Sequence, residues 1–125
     1  MEGYNVSVIR STKELTPREK IRVKDFSNAV SLDEATKAGK IVIDYGFHVV
    51  LGVHNEKSDN QDYTKTVLVD TNGTKYVTGS EAFLTTLEQI VDEMIDAGES
   101  DFEIEVYKKD SKNYKGKQFL TCSIV

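Results

Sequence analysis

Cysteine and proline are almost missing from this chain. Its 125 residues hold one of each, Cys122 and Pro17, and no tryptophan. A single cysteine excludes an intrachain disulfide and favours a reducing compartment. Only two histidines are present, His48 and His54, and there is no CxxC or HExxH spacing, so no metal site is expected. On a strand the two histidines share a face with Asp44, but six residues span roughly 20 Å, too far for one ion. No Walker or dinucleotide glycine loop occurs, so neither a cofactor nor an enzymatic activity is expected. Cys122 falls in an apolar run and reads as a small core residue rather than a nucleophile. No apolar run reaches membrane-spanning length and none near the start resembles a signal peptide, so the expectation is a soluble, cytoplasmic protein without membrane contact. The length fits a single domain over 1–125, able to bury roughly two-thirds of its unfolded surface.

What is present is charge, unevenly placed. The net charge is −5, yet residues 108–117 carry five lysines against one aspartate, with Tyr107 and Tyr114 among them. Residues 81–105 hold nine acidic residues and no lysine or arginine. A second basic cluster runs from residue 10 to 24. An acidic protein that keeps its cations apart can still present a positive face. Within 18–24, Arg18, Lys20, Arg22 and Lys24 alternate with Ile21 and Val23, which on a strand puts four cations on one face. That stripe reads either as the solvated side of an edge strand or as a track for phosphates.

Periodicity and punctuation predict a mainly β chain. Strands are expected over 4–10, 20–26, 41–54, 63–70, 74–77, 102–108 and 118–125. Gly46 and Gly52 mark bends or bulges in the long third segment, and Asn72-Gly73 marks a hairpin. Ser31 and Glu34 read as a capping box for a short helix stopping at Gly39. The main helix opens at a second box, Thr78 to Glu81. It buries Phe83, Leu87, Ile90, Val91 and Met94, exposes Glu88, Asp92, Glu93 and Asp96, and ends at Gly98. The order predicts an OB-fold-like five-stranded Greek-key barrel, with the main helix between its third and fourth strands and the lysine-tyrosine loop joining the last two.

Cations interleaved with aromatic rings suit single-stranded nucleic acid, whose bases can stack. The candidate rings are Tyr45, Phe47, Tyr63, Tyr76, Tyr107 and Tyr114, while Phe83, Phe102 and Phe119 fit core positions. By parity Tyr45 and Phe47 face one side together. Tyr107 lies on the polar side of its strand and Tyr114 within the loop. With them go Lys108, Lys109, Lys112, Lys115 and Lys117 as phosphate-contacting candidates.

The stretch 70–76 (Asp-Thr-Asn-Gly-Thr-Lys-Tyr), a helix, a basic glycine-containing loop and the terminal run 119–125 together resemble the single-stranded DNA-binding proteins of tailed phages. The resemblance is closest to the type in small protein-primed Bacillus phages. It covers about the last half of the chain. It implies an OB-fold, sequence-independent binding of single strands during replication or recombination, stacking by tyrosines and a host-cytoplasm location, and it adds weight to Tyr76. Replication or recombination proteins would be its protein partners. Bacterial relatives recruit partners through an acidic tail. Here the sequence closes on an apolar strand, which leaves the acidic helix face for that role or as plain solvated surface. A rival reading makes that face the functional one, in an acidic interaction module or DNA-mimic inhibitor.

Overall fold

The computed structural model describes residues 4–57, 62–111 and 116–125. Strand β1 (Tyr4–Ser11) leads to helix α1 (Pro17–Lys24), and the two-residue strand β2 (Val30–Ser31) to the one-turn helix α2 (Leu32–Ala35). There follow β3 (Ile41–Asn55), β4 (Asp62–Asp70), β5 (Lys75–Thr78), helix α3 (Glu81–Asp96), β6 (Glu103–Asp110) and β7 (Gln118–Ile124). The seven strands make one curled, mixed sheet in the order β2-β5-β4-β3-β6-β7, with β1 on β3. Among the described residues only the β2–β5 pair is parallel. The chain is mainly β, as expected, with the main helix preceding the last two strands.

The strand expected over 20–26 is helix α1 instead. Thr16 starts it: its Oγ1 accepts from the Glu19 N–H at 3.2 Å, and its own N–H donates to Glu19 Oε1 at 3.0 Å. Pro17 follows at the first helical position, where its missing N–H costs nothing. Of the two apolar residues that a strand would bury together, Val23 is 2% exposed and Ile21 70% exposed. The charge alternation is therefore not a strand face.

Gly46 shapes β3. Tyr45 pairs with Asp70 and Phe47 with Val69, so Gly46 is an extra residue on one side of the ladder. A Cβ there would lie 2.6 Å from the Val69 carbonyl oxygen. The bulge corrects the expectation that Tyr45 and Phe47 share a face. Ile43 and Tyr45 enter the larger core with Leu68, Phe83, Leu87, Ile104 and Leu120, beneath α3. Phe47 packs with Val23, Val49, Leu51, Val67 and Val69, beneath α1. The two helices thus cover opposite faces of the sheet. Gly52 makes no bulge; it pairs in register with Ser7 and Thr64. Its missing side chain makes room for Ile9, whose Cδ1 would be 3.2 Å from a Cβ there and which is itself the irregular residue in β1.

Helix α3 is capped two residues later than expected. Ser80 Oγ accepts from the Phe83 N–H at 3.1 Å, while Thr78 Oγ1 accepts from the Ser80 N–H and donates to Asp33. At its end Gly98, with φ +76°, donates to Ile95 O, and Glu99 donates to Met94 O, the pattern of a glycine-closed helix. In α2, Ser31 Oγ accepts from the Glu34 N–H as expected, but the helix stops at Ala35 rather than Gly39, and the buried Thr36 hydroxyl donates to Leu32 O at 2.8 Å. Asn72-Gly73 turns the β4–β5 hairpin, with Gly73 at φ +88° and Asp70 Oδ1 accepting from the Asn72 and Thr74 N–H groups. Cys122 is buried, and burial pushes its thiol up to about 12.

A polar network crosses the core. The Tyr45 hydroxyl meets His48 Nδ1 at 2.8 Å and Thr12 Oγ1 at 3.1 Å. His48 Nε2 lies 3.8 Å from Glu88 on α3, and Arg10 Nε donates to the same carboxylate at 2.8 Å. His48 is 2% exposed, and burial lowers its pKa despite Glu88.

Gly46→Ala is expected to destabilise the fold by about 2 kcal/mol, because the new methyl meets backbone rather than a movable side chain; Gly79→Ala, with no contact closer than 3.7 Å, should stay within about 0.5 kcal/mol in the same urea titration. Buried neutral His48 gives a pH dependence. Below its ordinary value of 6.5 the unfolded chain binds the proton that the folded chain refuses, so stability is complete above that pH and falls as pH drops through it. Exposed His54, raised by its hydrogen bond to Asp62, acts in the opposite sense, so thermal melts of His48→Gln against wild type between pH 5 and 8 isolate the buried group.

Candidate nucleic-acid interface

On helix α1 each residue turns about 100°. Arg18 and Arg22 therefore form one row on one flank of buried Val23, and Lys20 and Lys24 a second row on the other, with Ile21 on the crest between them. The single four-cation face expected from the sequence becomes two rows. All four side chains are exposed and none makes a hydrogen bond or ion pair with another described residue. The one carboxylate of α1 does not neutralise them. Glu19 Oε2 accepts from Lys13 Nζ at 2.6 Å, and this bond, with the Thr16 N–H, lowers the carboxyl to about 2. Lys13 also sits over the Phe47 ring, 4.9 Å from its centroid. The C-terminal end of α1 is held by Lys75, whose ammonium donates to Arg22 O at 2.8 Å and Asp25 O at 2.7 Å.

Between α1 and the β3–β4 ladder lies an open cleft of about 710 Å³, lined among others by Ile21, Arg22, Asn28, Phe47, Val69 and Thr71. Thr71 donates to Asp44 at 2.8 Å. Asp44 lies just before the bulge, on the strand face opposite Ile43 and Tyr45. The α1 side of the sheet thus continues past the cleft toward β6 and β7. On β6, Tyr107 and Lys109 alternate with the core residues Ile104 and Val106, which puts them on this same side. The Tyr107 hydroxyl meets Ser123 Oγ at 2.7 Å, holding the ring against β7. Lys109 is exposed and stands opposite Phe119.

The structure divides the remaining candidates. Lys108 has the parity of Val106, so it turns to the α3 side, where it is half-buried and its ammonium reaches Asp33 Oδ1 at 3.3 Å. Tyr76 pairs with Leu68 and packs partly buried on the larger core; burial raises its pKa. Neither lies with the α1 cations. Lys117 is exposed beside β7. Lys112, Tyr114 and Lys115 lie outside the described residues. Phe119, expected in the core, is 37% exposed, because the buried parity of β7 belongs to Leu120 and Cys122. Sequence reasoning missed Lys13 and left Phe47 undecided. The signal for Phe47 was Gly46 itself, since a bulge reverses the parity that follows it.

Anions occupy the other face. Asp92, Glu93 and Asp96 are exposed on α3, and Glu88 is bound by Arg10, which lowers its pKa. The cations of α1 therefore lie apart from the acids of α3, while Glu103, Glu105 and Asp44 share the face of Tyr107 and Lys109, Glu105 bonded by Lys40 and Asp44 by Thr71. Among the described residues no group of histidine, cysteine, aspartate or glutamate could hold a metal ion. No helix among the described residues is long and apolar enough to cross a membrane.

No curated protein and no solved structure matches this chain. A family model described as "Phage Single-stranded DNA-binding protein" matches residues 5–125, extending over the first half of the chain as well as the second. Cations without a partner among the described residues, set beside aromatic side chains and away from the acidic helix, accord with that match, and the chain belongs to the phage single-stranded DNA-binding protein family.

Proposed function

We propose that this protein binds single-stranded DNA without regard to sequence and without catalysis, covering strands exposed in phage DNA replication or recombination in the host cytoplasm. We read the curled sheet as an OB-like barrel with its DNA track on the α1 side. The observation that carries the site is the set of four cations on α1 that have no partner among the described residues, on the sheet face shared with Tyr107 and Lys109 and opposite the acids of α3. Arginine and lysine neutralise phosphates and release their counterions. Rings stack bases of any kind, which gives affinity without a base code. Lys117 and the composition of residues 112–115 extend the same chemistry beyond β6. Replication or recombination proteins would meet the other face, where Asp92, Glu93 and Asp96 are exposed.

Two measurements test this. In fluorescence titrations with oligo(dT) over a range of salt, the double variant Arg18→Gln/Arg22→Gln should lower the log–log salt slope by about 1.4, since each lost phosphate contact removes about 0.7. Lys20→Gln/Lys24→Gln should lower it less, because that row lies on the flank away from Arg22 and the cleft. No preference of the wild type for oligo(dT) over duplex at low salt would end the proposal. Tyr107→Ala should weaken oligo(dT) binding by about 1–3 kcal/mol with little change in melting temperature. Tyr76→Ala should do the reverse and lower the melting temperature, because that ring packs on the core. Charge reversal at Asp92 and Glu93 should leave DNA binding intact or stronger, whereas an acidic interaction module would lose its activity.

A further inference from the structure

We propose that the cleft between α1 and the β3–β4 ladder is a slot for one unpaired base of the bound strand. This rests on the single-stranded DNA reading and deepens it by naming where a base enters and why a duplex is refused.

The floor is apolar. Phe47 and Val69 are register partners across β3 and β4, so their side chains stand side by side. Ile21 forms a wall and is 70% exposed, the most open large apolar side chain among the described residues. A volume of about 710 Å³ is in the range that holds a small organic ligand, and a nucleobase with its sugar fits within it. Lys13 sits over the Phe47 ring and is itself held by Glu19, which also lines the cleft.

The rim suits a nucleotide. The Arg22 guanidinium has no partner among the described residues and stands at the lining, placed for the adjoining phosphate. The three carboxylates that line the cleft are already engaged. Glu19 accepts from Lys13 and the Thr16 N–H. Asp25 accepts from the Ser27 N–H and hydroxyl, and Asp70 from the Asn72 and Thr74 N–H groups. Asn28 and Thr74 remain at the rim as groups that both donate and accept, so either can meet the edge of any base. A slot of this kind takes a base only when it leaves its stack. That step costs a few kcal/mol in a duplex and much less in a single strand, which gives strand selectivity with no contact specific to a base.

The test uses the whole protein. Oligo(dT) carrying one 5-iodouracil is bound and irradiated, and the crosslinked residue is mapped by mass spectrometry. Crosslinking at Phe47 is expected. In parallel, Phe47→Leu, which keeps an apolar contact to the core beneath α1, should weaken oligo(dT) binding about tenfold while leaving unchanged the binding of an abasic oligodeoxyribose phosphate of equal length. Crosslinks confined to residues outside the cleft, such as Tyr107 or Phe119, would overturn the slot and leave the single-stranded DNA reading standing. If the wild type binds no oligo(dT) at all, that reading fails and the slot with it. Where crosslink and titration disagree, the crosslink decides, because it is made on the unaltered protein.

Discussion

The one-residue bulge at Gly46 is the constraint on which the rest of this structure depends. β3 serves three partners: β6 through residues 41–44, β4 through residues 45–54, and β1 through residues 49–55. A flat strand could not turn into both halves of a curled sheet, and a bulge adds the local twist that lets it. It also changes which side chains meet. In a regular strand residues i and i+3 point to opposite faces. Across Gly46 they do not, so Tyr45 and His48 meet in the core at 2.8 Å. The same shift delivers Phe47 to the α1 side, beside Val69. One glycine thus sets both the buried polar network and the wall of the cleft.

Charge is sorted by helix placement. An acidic protein that binds a polyanion must keep its own carboxylates from competing, and here the acids of α3 lie across the sheet from the cations of α1, while Glu105 and Asp44 on the α1 side accept from Lys40 and Thr71. Arg10 and Lys108 show the rule from the other side. Both belong to basic stretches, yet each is paired with an acid, Glu88 or Asp33. The cations left unpaired on α1 are the ones that a strand of phosphates would find.

Much of this was legible from residues alone, wherever one local signal was unopposed. Asn72-Gly73 turned where it should, Gly98 closed α3, and the alternation of Ile104, Val106 and Tyr107 assigned the faces of β6 correctly. Reading failed where two signals competed. Arg18 to Lys24 alternates in a way that a strand would use, while Thr16, Pro17 and Glu19 form a helix start. The cap won because only Val23 has a core to enter, and it enters from a helix. Lys108 was grouped with its loop by composition, although its parity with Val106 already turned it inward. Phe119 was assigned to the core by hydrophobicity, although Leu120 and Cys122 hold that parity. Tyr76 drew weight from a motif, and its ring is held by packing. The cleft was not legible at all, because it joins α1 to β3 and β4 across a bulge whose effect on parity appears only in three dimensions.

Helix α1 carries the cations but has only one buried residue of its own, Val23. An ammonium group holds it near each end: Lys13, in the connection from β1, on Glu19, and Lys75 of β5 on the Arg22 and Asp25 carbonyls. These fastenings are exposed, and ions in solution weaken them as they weaken phosphate contacts. Added salt therefore acts at two places, on the proposed phosphate contacts of α1 and on the fastenings that seat it. If α1 is the DNA-contacting helix proposed above, a dilute medium makes it both attractive to DNA and firmly seated, and a concentrated one weakens both.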